Sequence, residues 1–137
     1  MAKLDGRCLC GAITYTSQAE PAFTAVCHCA HCQRQSGAPF SIVVGVPVGE
    51  LEVHGELAEH VTVSETSGAD NHRKFCPSCG SPILSLNDTY PGIAIVKAGT
   101  LDDTSWLEPQ VEVWCRSAQP WVQPVEGRPR WERATAP

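Results

Sequence analysis

Cys76-Pro77-Ser78-Cys79-Gly80 places two cysteines three residues apart across a predicted tight turn. Pro77 suits the second position of such a turn, and Gly80 permits the positive φ with which a backbone folds around a metal ion. Near the N-terminus, Cys8-Leu9-Cys10-Gly11 also carries two closely spaced cysteines followed directly by glycine. We therefore predict that the two segments are matching halves of one metal site.

Together these segments supply four thiolates, from Cys8, Cys10, Cys76 and Cys79. Four thiolates are the ligand set of a closed, tetrahedral structural zinc site. Such an ion contributes roughly 10 to 16 kcal/mol of apparent stability, whereas a whole domain is stable by about 5 to 15 kcal/mol. We expect this site to decide whether the domain folds.

A third cluster, Cys27-His28-Cys29-Ala30-His31-Cys32, supplies three more cysteines. Residues two apart on a strand point to the same face, so Cys27 and Cys29 would present their sulfurs together. Three protein ligands plus one exchangeable position is the usual arrangement of a catalytic zinc ion. The count predicts a second zinc site at Cys27, Cys29 and Cys32, which become the candidate catalytic residues.

The same segment contains two histidines, for which a ligand role and a structural role are weighed. His28 would point away from Cys27 and Cys29 on a strand, which favours a structural role over a ligand role. His31 lies inside the turn from Cys29 to Cys32, and either role is open to it.

Near the C-terminus, Cys115 alternates with Val111 and Val113, which predicts a small core residue on a strand, with a fourth metal ligand as the alternative. Trp114 and Trp121 could wall a pocket, but large aromatic residues in a small β-domain are more often core.

The composition favours a mainly β fold. The 137 residues fit one domain, 1–137, and eleven glycines and eleven prolines interrupt any long helix. One short helix is predicted around residues 31–35, ended by Gly37. A surface tail is predicted from about residue 124, where Arg128, Arg130 and Arg133 form a basic cluster that is a solvated face or, as the alternative, contacts an acidic partner. The predicted strands are 12–16, 23–29, 40–46, 51–54, 60–65, 83–86, 93–97 and 111–116.

Charge and hydropathy exclude several classes of partner. The formal net charge is −5 with ten Lys plus Arg, so the chain lacks the positive field that attracts nucleic acid or anionic membranes. No segment has the apolar length of a signal peptide core or a membrane span. We expect a cytoplasmic protein, whose cysteines remain reduced and bind metal instead of forming disulfides.

The ordered motifs resemble those of the glutathione-dependent formaldehyde-activating enzymes and their centromere-protein-V relatives. They are Gly6-Arg7-Cys8-Leu9-Cys10-Gly11, Cys27-His28-Cys29 through Cys32-Gln33-Arg34, Ser36-Gly37-Ala38-Pro39-Phe40, Phe75-Cys76-Pro77-Ser78-Cys79-Gly80-Ser81 and Ala98-Gly99-Thr100-Leu101-Asp102-Asp103.

The resemblance implies a tent-like fold of several short antiparallel sheets with at most short helices. It also implies two zinc ions, one structural and one at the active site, with the same division of the cysteines. The implied activity is that of a carbon–sulfur lyase resembling S-(hydroxymethyl)glutathione synthase. The partners would be glutathione or another small thiol and formaldehyde or a related small aldehyde.

Arg34, beside the predicted open site, is the candidate to hold a glutathione carboxylate through paired N–H donors. Two other readings compete. In one, Cys115 or a histidine closes the second site, and the chain is a non-enzymatic, zinc-stabilised binding module. In the other, His54-Gly55-Glu56 and the Cys76 to Cys79 pair form a deaminase signature, although Phe75 stands where that signature has proline.

Overall fold

A computed structural model describes residues 4–134 and contains two β-sheets and one α-helix. The helix, α1, spans Ala30–Ser36. Three 3-10 turns span Val48–Glu50, Ala98–Thr100 and Cys115–Ser117. The strands are Leu4–Arg7 (β1), Thr14–Ser17 (β2), Phe23–Cys27 (β3), Ser41–Pro47 (β4), Leu51–His54 (β5), Ala58–Val63 (β6), Asp70–Phe75 (β7), Pro82–Asn87 (β8), Ile93–Lys97 (β9) and Val111–Val113 (β10). The prediction of a mainly β fold is confirmed.

The strands form a small and a large sheet. The small sheet has the order β1-β2-β5, and the large sheet has the order β10-β3-β4-β9-β8-β7-β6. All pairings are antiparallel except that of β10 with β3. The prediction of antiparallel sheets is confirmed for the other pairings, and β10 departs from it because it reaches β3 through a long connection that leaves both strands running the same way.

Each of the eight predicted strands has a counterpart, and the helix ends as predicted, at Gly37 with φ 69°. Two strands were missed, β1 and β7, because their sequences are too polar to show a β pattern. Two predicted strands were too long. β3 stops at Cys27 because Cys29 caps helix α1, and β10 stops at Val113 because Trp114 has a left-handed backbone, with φ 57°.

The core lies between the two sheets. Val44, Val46 and Val96 of the large sheet are at most 1% exposed and belong to the same buried cluster as Leu4 and Tyr15 of the small sheet. Side chains alternate between the faces of a strand, so the neighbours of these valines must face the other way. The outer face of the large sheet is therefore available for a site.

The C-terminal segment pairs with β10 through Glu112. The backbone N–H of Trp131 donates to the Glu112 carbonyl at 2.8 Å. The side chains of Arg128 and Arg130 lie 3.5 Å from the Glu112 carboxylate, which is only 4% exposed. The expectation of a solvated face is wrong for these two arginines, because a buried carboxylate requires positive partners. Arg133 contributes its backbone carbonyl, which accepts from Trp114 N–H at 3.1 Å.

One glycine is required by packing. Gly6 lies opposite Tyr15 in the β1–β2 pair, and a Cβ there would clash with the buried Tyr15 ring and the Thr100 carbonyl. We expect Gly6→Ala to lower the free energy of unfolding by about 1 to 3 kcal/mol, the usual cost of overpacking. Urea denaturation of the metal-loaded protein measures this difference.

Gly49→Ala is the matched control, because a Cβ at this position would have no atom within 4 Å and its φ is not positive. It should leave the unfolding midpoint unchanged or slightly raised. Equal midpoints for the two variants would contradict the packing argument.

Candidate metal centres and the adjoining cavity

Four cysteine sulfurs meet where the β1–β2 turn approaches the β7–β8 turn. We call this group, Cys8, Cys10, Cys76 and Cys79, the four-cysteine cluster, and its sulfurs all lie within 4.8 Å of one another. The Cys8 and Cys10 sulfurs are 3.6 Å apart, and those of Cys10 and Cys76 are 3.8 Å apart. Tetrahedral zinc bonded to sulfur at about 2.3 Å separates its ligands by about 3.8 Å. The spacing is thus compatible with zinc and too long for disulfides.

The two turns that carry these cysteines both end at a glycine with the same backbone φ. Gly11 and Gly80 both have φ 80°. The Gly11 N–H donates to the Cys8 carbonyl at 3.2 Å, and the Gly80 N–H donates to the Cys76 carbonyl at 2.8 Å. A residue with a Cβ is strained at this φ, so glycine is required after each cysteine pair.

The surroundings favour a thiolate at one member of the cluster. Two hydrogen bonds from Ser81 lower the pKa of Cys79 to about 5. The larger effect comes from the Ser81 hydroxyl and the smaller one from its backbone N–H. Cys8 and Cys76 are buried within the hydrophobic core, whereas Cys10 is exposed. The cluster therefore connects the core to the surface between the two turns.

A second group, Cys27, Cys29 and Cys32, forms the three-cysteine cluster, with all sulfurs within 4.8 Å of one another. Cys27 ends β3, Cys29 is the N-cap of α1, and Cys32 lies in the first turn of the helix. The Cys29 sulfur accepts a hydrogen bond from Cys32 N–H at 3.2 Å, and the Cys27 and Cys32 sulfurs are 3.7 Å apart. The sulfurs converge through a strand-to-helix turn, so the prediction from alternation on a strand is wrong here.

Two buried cations lie against this cluster. Arg73 Nη1 and Lys97 Nζ each lie 3.8 Å from the Cys32 sulfur, and the two residues are only 5% and 8% exposed. Hydrogen bonding with Cys27 and Cys29, and then the charges of Lys97 and Arg73, hold the pKa of the Cys32 thiol far below its ordinary value. Buried lysine and arginine are rare without anionic partners, so this environment suits a thiolate ligand.

His28 and Cys115 belong to a separate group. His28 is 1% exposed, and its Nε2 lies 2.8 Å from Glu112 Oε1. The Cys115 thiol donates to the Glu112 carbonyl at 3.6 Å, and Cys115 begins a 3-10 turn, so the prediction that it continues the β10 strand is wrong. Within residues 4–134, no fourth His, Cys, Asp or Glu ligand atom joins the three-cysteine cluster at that spacing.

A cavity of about 470 Å³ opens beside the three-cysteine cluster, over the outer face of the large sheet. Cys27, Cys29 and Cys32 form part of its wall, together with Lys97 and Arg73. A second depression, of about 510 Å³, shares Arg73 with the main cavity. It is lined in part by His31, which borders both spaces, and by Arg34 and His60. Arg34 is exposed there and does not line the main cavity.

The structure also shows where the two tryptophans of the sequence analysis lie. Trp114 lines the main cavity, whereas Trp121 is 67% exposed, so the expectation of a core residue is wrong for Trp121.

His54 lies on the small sheet beside Glu52, while Cys76 and Cys79 join the four-cysteine cluster. The residues of the deaminase signature are therefore not brought together.

Sequence reasoning missed Arg73 and Lys97. Lys97 had a usable signal, because it alternates with Ile93 and Ile95 and must share their face of β9. Arg73 had none, because β7 reads Asp-Asn-His-Arg-Lys-Phe and shows no apolar alternation.

No helix in the described part of the chain is long and apolar enough to cross a membrane.

Comparison with known proteins agrees with this architecture. Residues 3–117 match the family model of the glutathione-dependent formaldehyde-activating enzymes. Proteins that carry this family's name include one from Aspergillus flavus, 29% identical over 108 residues, and one from Phaeosphaeria nodorum, 30% identical over 118 residues. These alignments cover 75% and 84% of this chain, but only 56% and 61% of the relatives. The chain thus spans little more than half the length of the curated relatives it matches.

A solved crystal structure shares the fold. A Rhodobacter sphaeroides protein superposes with a TM-score of 0.57 at 20% sequence identity, covering 93% of this chain and 98% of the other. The family match extends over most of the chain and includes both cysteine clusters. The chain therefore belongs to the glutathione-dependent formaldehyde-activating enzyme family.

Proposed function

We propose that the chain is a zinc-dependent carbon–sulfur lyase that joins glutathione, or another small thiol, to formaldehyde or a related small aldehyde. The observation that carries this proposal is the set of three cysteine sulfurs, without a fourth side-chain ligand atom among residues 4–134, at the wall of a cavity. Closed structural sites use four protein ligands, and three leave one position for a substrate atom. The names of the relatives, which combine glutathione with formaldehyde, support the choice of substrates.

Zinc is our choice of metal for both clusters. Thiolate ligands at tetrahedral spacing favour zinc over magnesium or calcium, which prefer oxygen. The four-cysteine cluster would be structural, and the three-cysteine cluster would be catalytic. When bound at the three-cysteine cluster, zinc would hold an incoming thiol as a nucleophilic thiolate at neutral pH.

The two buried cations have a role in this scheme. Three thiolates and one zinc ion carry one excess negative charge, which Arg73 and Lys97 offset at 3.8 Å from Cys32. The Lys97 ammonium has three N–H donors. One donates to the Cys32 sulfur, and a second donates to the Ser41 hydroxyl at 3.3 Å. We assign the third to the aldehyde oxygen, which gains negative charge as the carbon–sulfur bond forms.

Glutathione also brings two carboxylates, which need positive partners outside the apolar cavity. The second depression is lined in part by Arg34, His31 and His60. The Arg34 guanidinium is exposed and can offer paired N–H donors to a carboxylate. We therefore keep Arg34 as the candidate glutathione contact.

The competing binding-module reading requires a fourth protein ligand at the second cluster. Cys115 and His28 are engaged with Glu112 instead, through contacts of 3.6 Å and 2.8 Å. A purely structural site would also gain nothing from a cavity at its side. These observations favour the enzyme.

The first prediction separates the roles of the two clusters. Cys79→Ser removes one of four structural ligands and should abolish soluble folded protein, because loss of that metal removes roughly 10 to 16 kcal/mol from a domain stable by about 5 to 15. Cys29→Ser should remain folded with one fewer zinc ion per chain. Circular dichroism and metal analysis measure both.

Cys115→Ser is the matched control, because Cys115 belongs to neither cysteine cluster. It should keep both zinc ions. If Cys79→Ser and Cys29→Ser collapse alike, the division into a structural and a catalytic site is wrong.

The second prediction concerns the exchangeable position. In protein substituted with cobalt, glutathione should change the visible absorption spectrum, because its sulfur enters the coordination sphere of the metal at the three-cysteine cluster. Cys29→Ser should lose this response. An unchanged wild-type spectrum at saturating glutathione would favour the binding module.

The third prediction concerns the reaction. The protein should accelerate exchange between formaldehyde plus glutathione and their adduct, as measured by exchange NMR. Thiols add to formaldehyde unaided, so the relevant quantity is the rate above that of Cys29→Ser, with Cys115→Ser as the active control. Identical rates for wild type and Cys29→Ser, with formaldehyde and with a related aldehyde alike, would remove the enzymatic proposal.

A further inference from the structure

The main cavity has an apolar floor that continues across four strands. Val111 of β10 pairs with Ala25 of β3, and Ala25 pairs with Val43 of β4. Val43 and Ile95, which lies on β9 opposite Gly45, share the same face of the sheet. All four apolar side chains line the cavity beside the three-cysteine cluster. The register of the sheet therefore builds a continuous apolar surface next to the proposed reaction centre.

This surface is open to solvent at its two ends only. Val111 and Ile95 are partly exposed, whereas Ala25 and Val43 between them are 3% and 6% exposed. Trp114 and Trp131 line the cavity wall and enlarge the apolar surface. Apolar surface left in water costs free energy in proportion to its area, so a ligand that covers it gains affinity.

The size of the cavity bears on the substrate. Its volume of about 470 Å³ falls within the range of roughly 300 to 1,000 Å³ typical of pockets for small organic ligands. Formaldehyde has a single carbon and a single oxygen atom and would leave almost all of this space unfilled. The cavity fits a carbonyl compound with a substantial side chain.

The charged ends of a peptide thiol do not match this floor, because burying a charge against apolar walls without a partner is costly. The basic side chains that line the cavity include Arg73 and Lys97, and both direct N–H groups to the Cys32 sulfur. Arg34 and His60 lie instead at the neighbouring depression. The charged thiol is thus assigned to the neighbouring depression and the apolar partner to the main cavity, and Arg73 lines both spaces.

We propose that the main cavity binds the apolar side chain of the carbonyl substrate, so that the preferred substrate class is aromatic or longer aliphatic aldehydes. This proposal rests on the proposed function, because it assigns a substrate class to the same site. The thiolate sulfur bonds to the carbonyl carbon, the π electron pair moves to oxygen, and that oxygen takes up the proton given up by the thiol. The product is a hemithioacetal, and no oxidant or reductant is needed.

Binding can be tested without the reaction. Unbranched primary alcohols from ethanol to octanol are inert analogues of the aldehydes, and isothermal titration calorimetry on the zinc-loaded protein gives their affinities. The affinity should rise about three- to fourfold for each added methylene, the factor for burying one such group, until the cavity is full. The heat capacity change of binding should be negative. Affinities that do not depend on chain length would overturn the proposal.

A pair of matched variants locates the binding. Val111→Phe fills the floor of the cavity and should weaken octanol binding at least tenfold. Val61→Phe places the same change on β6 at a side chain that is 41% exposed and outside the lining, so octanol binding should not change. Circular dichroism and zinc content check that both variants fold. Equal affinities for the two variants would also overturn the proposal.

Exchange NMR with glutathione then separates this proposal from the proposed function. At least tenfold higher kcat/KM for phenylacetaldehyde than for formaldehyde supports the substrate class. Acceleration with formaldehyde alone overturns the substrate class and leaves the proposed function intact. A third outcome is acceleration with neither aldehyde although alcohol binding depends on chain length. This result overturns the proposed function and the substrate assignment that rests on it. The cavity would then be an apolar ligand site without this reaction.

Discussion

The alternation of side chains across the large sheet is the constraint on which the rest of the structure depends. In β4 and β9, Val44 and Val96 point into the core between the sheets, whereas Val43 and Lys97 point to the outer face. A one-residue slip in register would exchange these faces and place Lys97 in the core, where an unpaired charge is costly. The strong preference for burying the valines therefore also fixes the position of the cation beside Cys32.

Electrostatics explains how the three-cysteine cluster can be partly buried. Cys27 and Cys32 are buried, and a group of closely spaced thiolates in such surroundings is unfavourable without positive charge. Arg73 and Lys97 provide that charge from two different strands, and Arg73 is held further by Thr62 at 3.0 Å and Gln35 at 3.0 Å. The cations are thus oriented by the fold, through contacts that do not involve the cysteines.

The two cysteine clusters differ because of the backbone that carries them. The four-cysteine cluster uses two tight turns, each ended by a glycine with φ 80°, and each turn contributes two sulfurs from opposite sides. The three-cysteine cluster uses one strand-to-helix junction, where Cys29 caps the helix and turns all three sulfurs toward the cavity. Two turns bring four sulfurs together, whereas one junction brings three. The different numbers of cysteines follow from this geometry.

The sequence alone determined the mainly β fold, the grouping of the cysteines by spacing and the helix end at Gly37, because these depend on local patterns of turn residues, alternation and ligand spacing. The tertiary structure alone decided which side chains surround the clusters. Arg73 comes from a strand with no apolar pattern, and the Glu112 carboxylate takes His28, Arg128 and Arg130 as its partners, from other segments of the chain. Apart from the local contact of Cys115 with the Glu112 carbonyl, such contacts depend on sheet register and on the path of the C-terminal segment, and neither is encoded in any short stretch of residues.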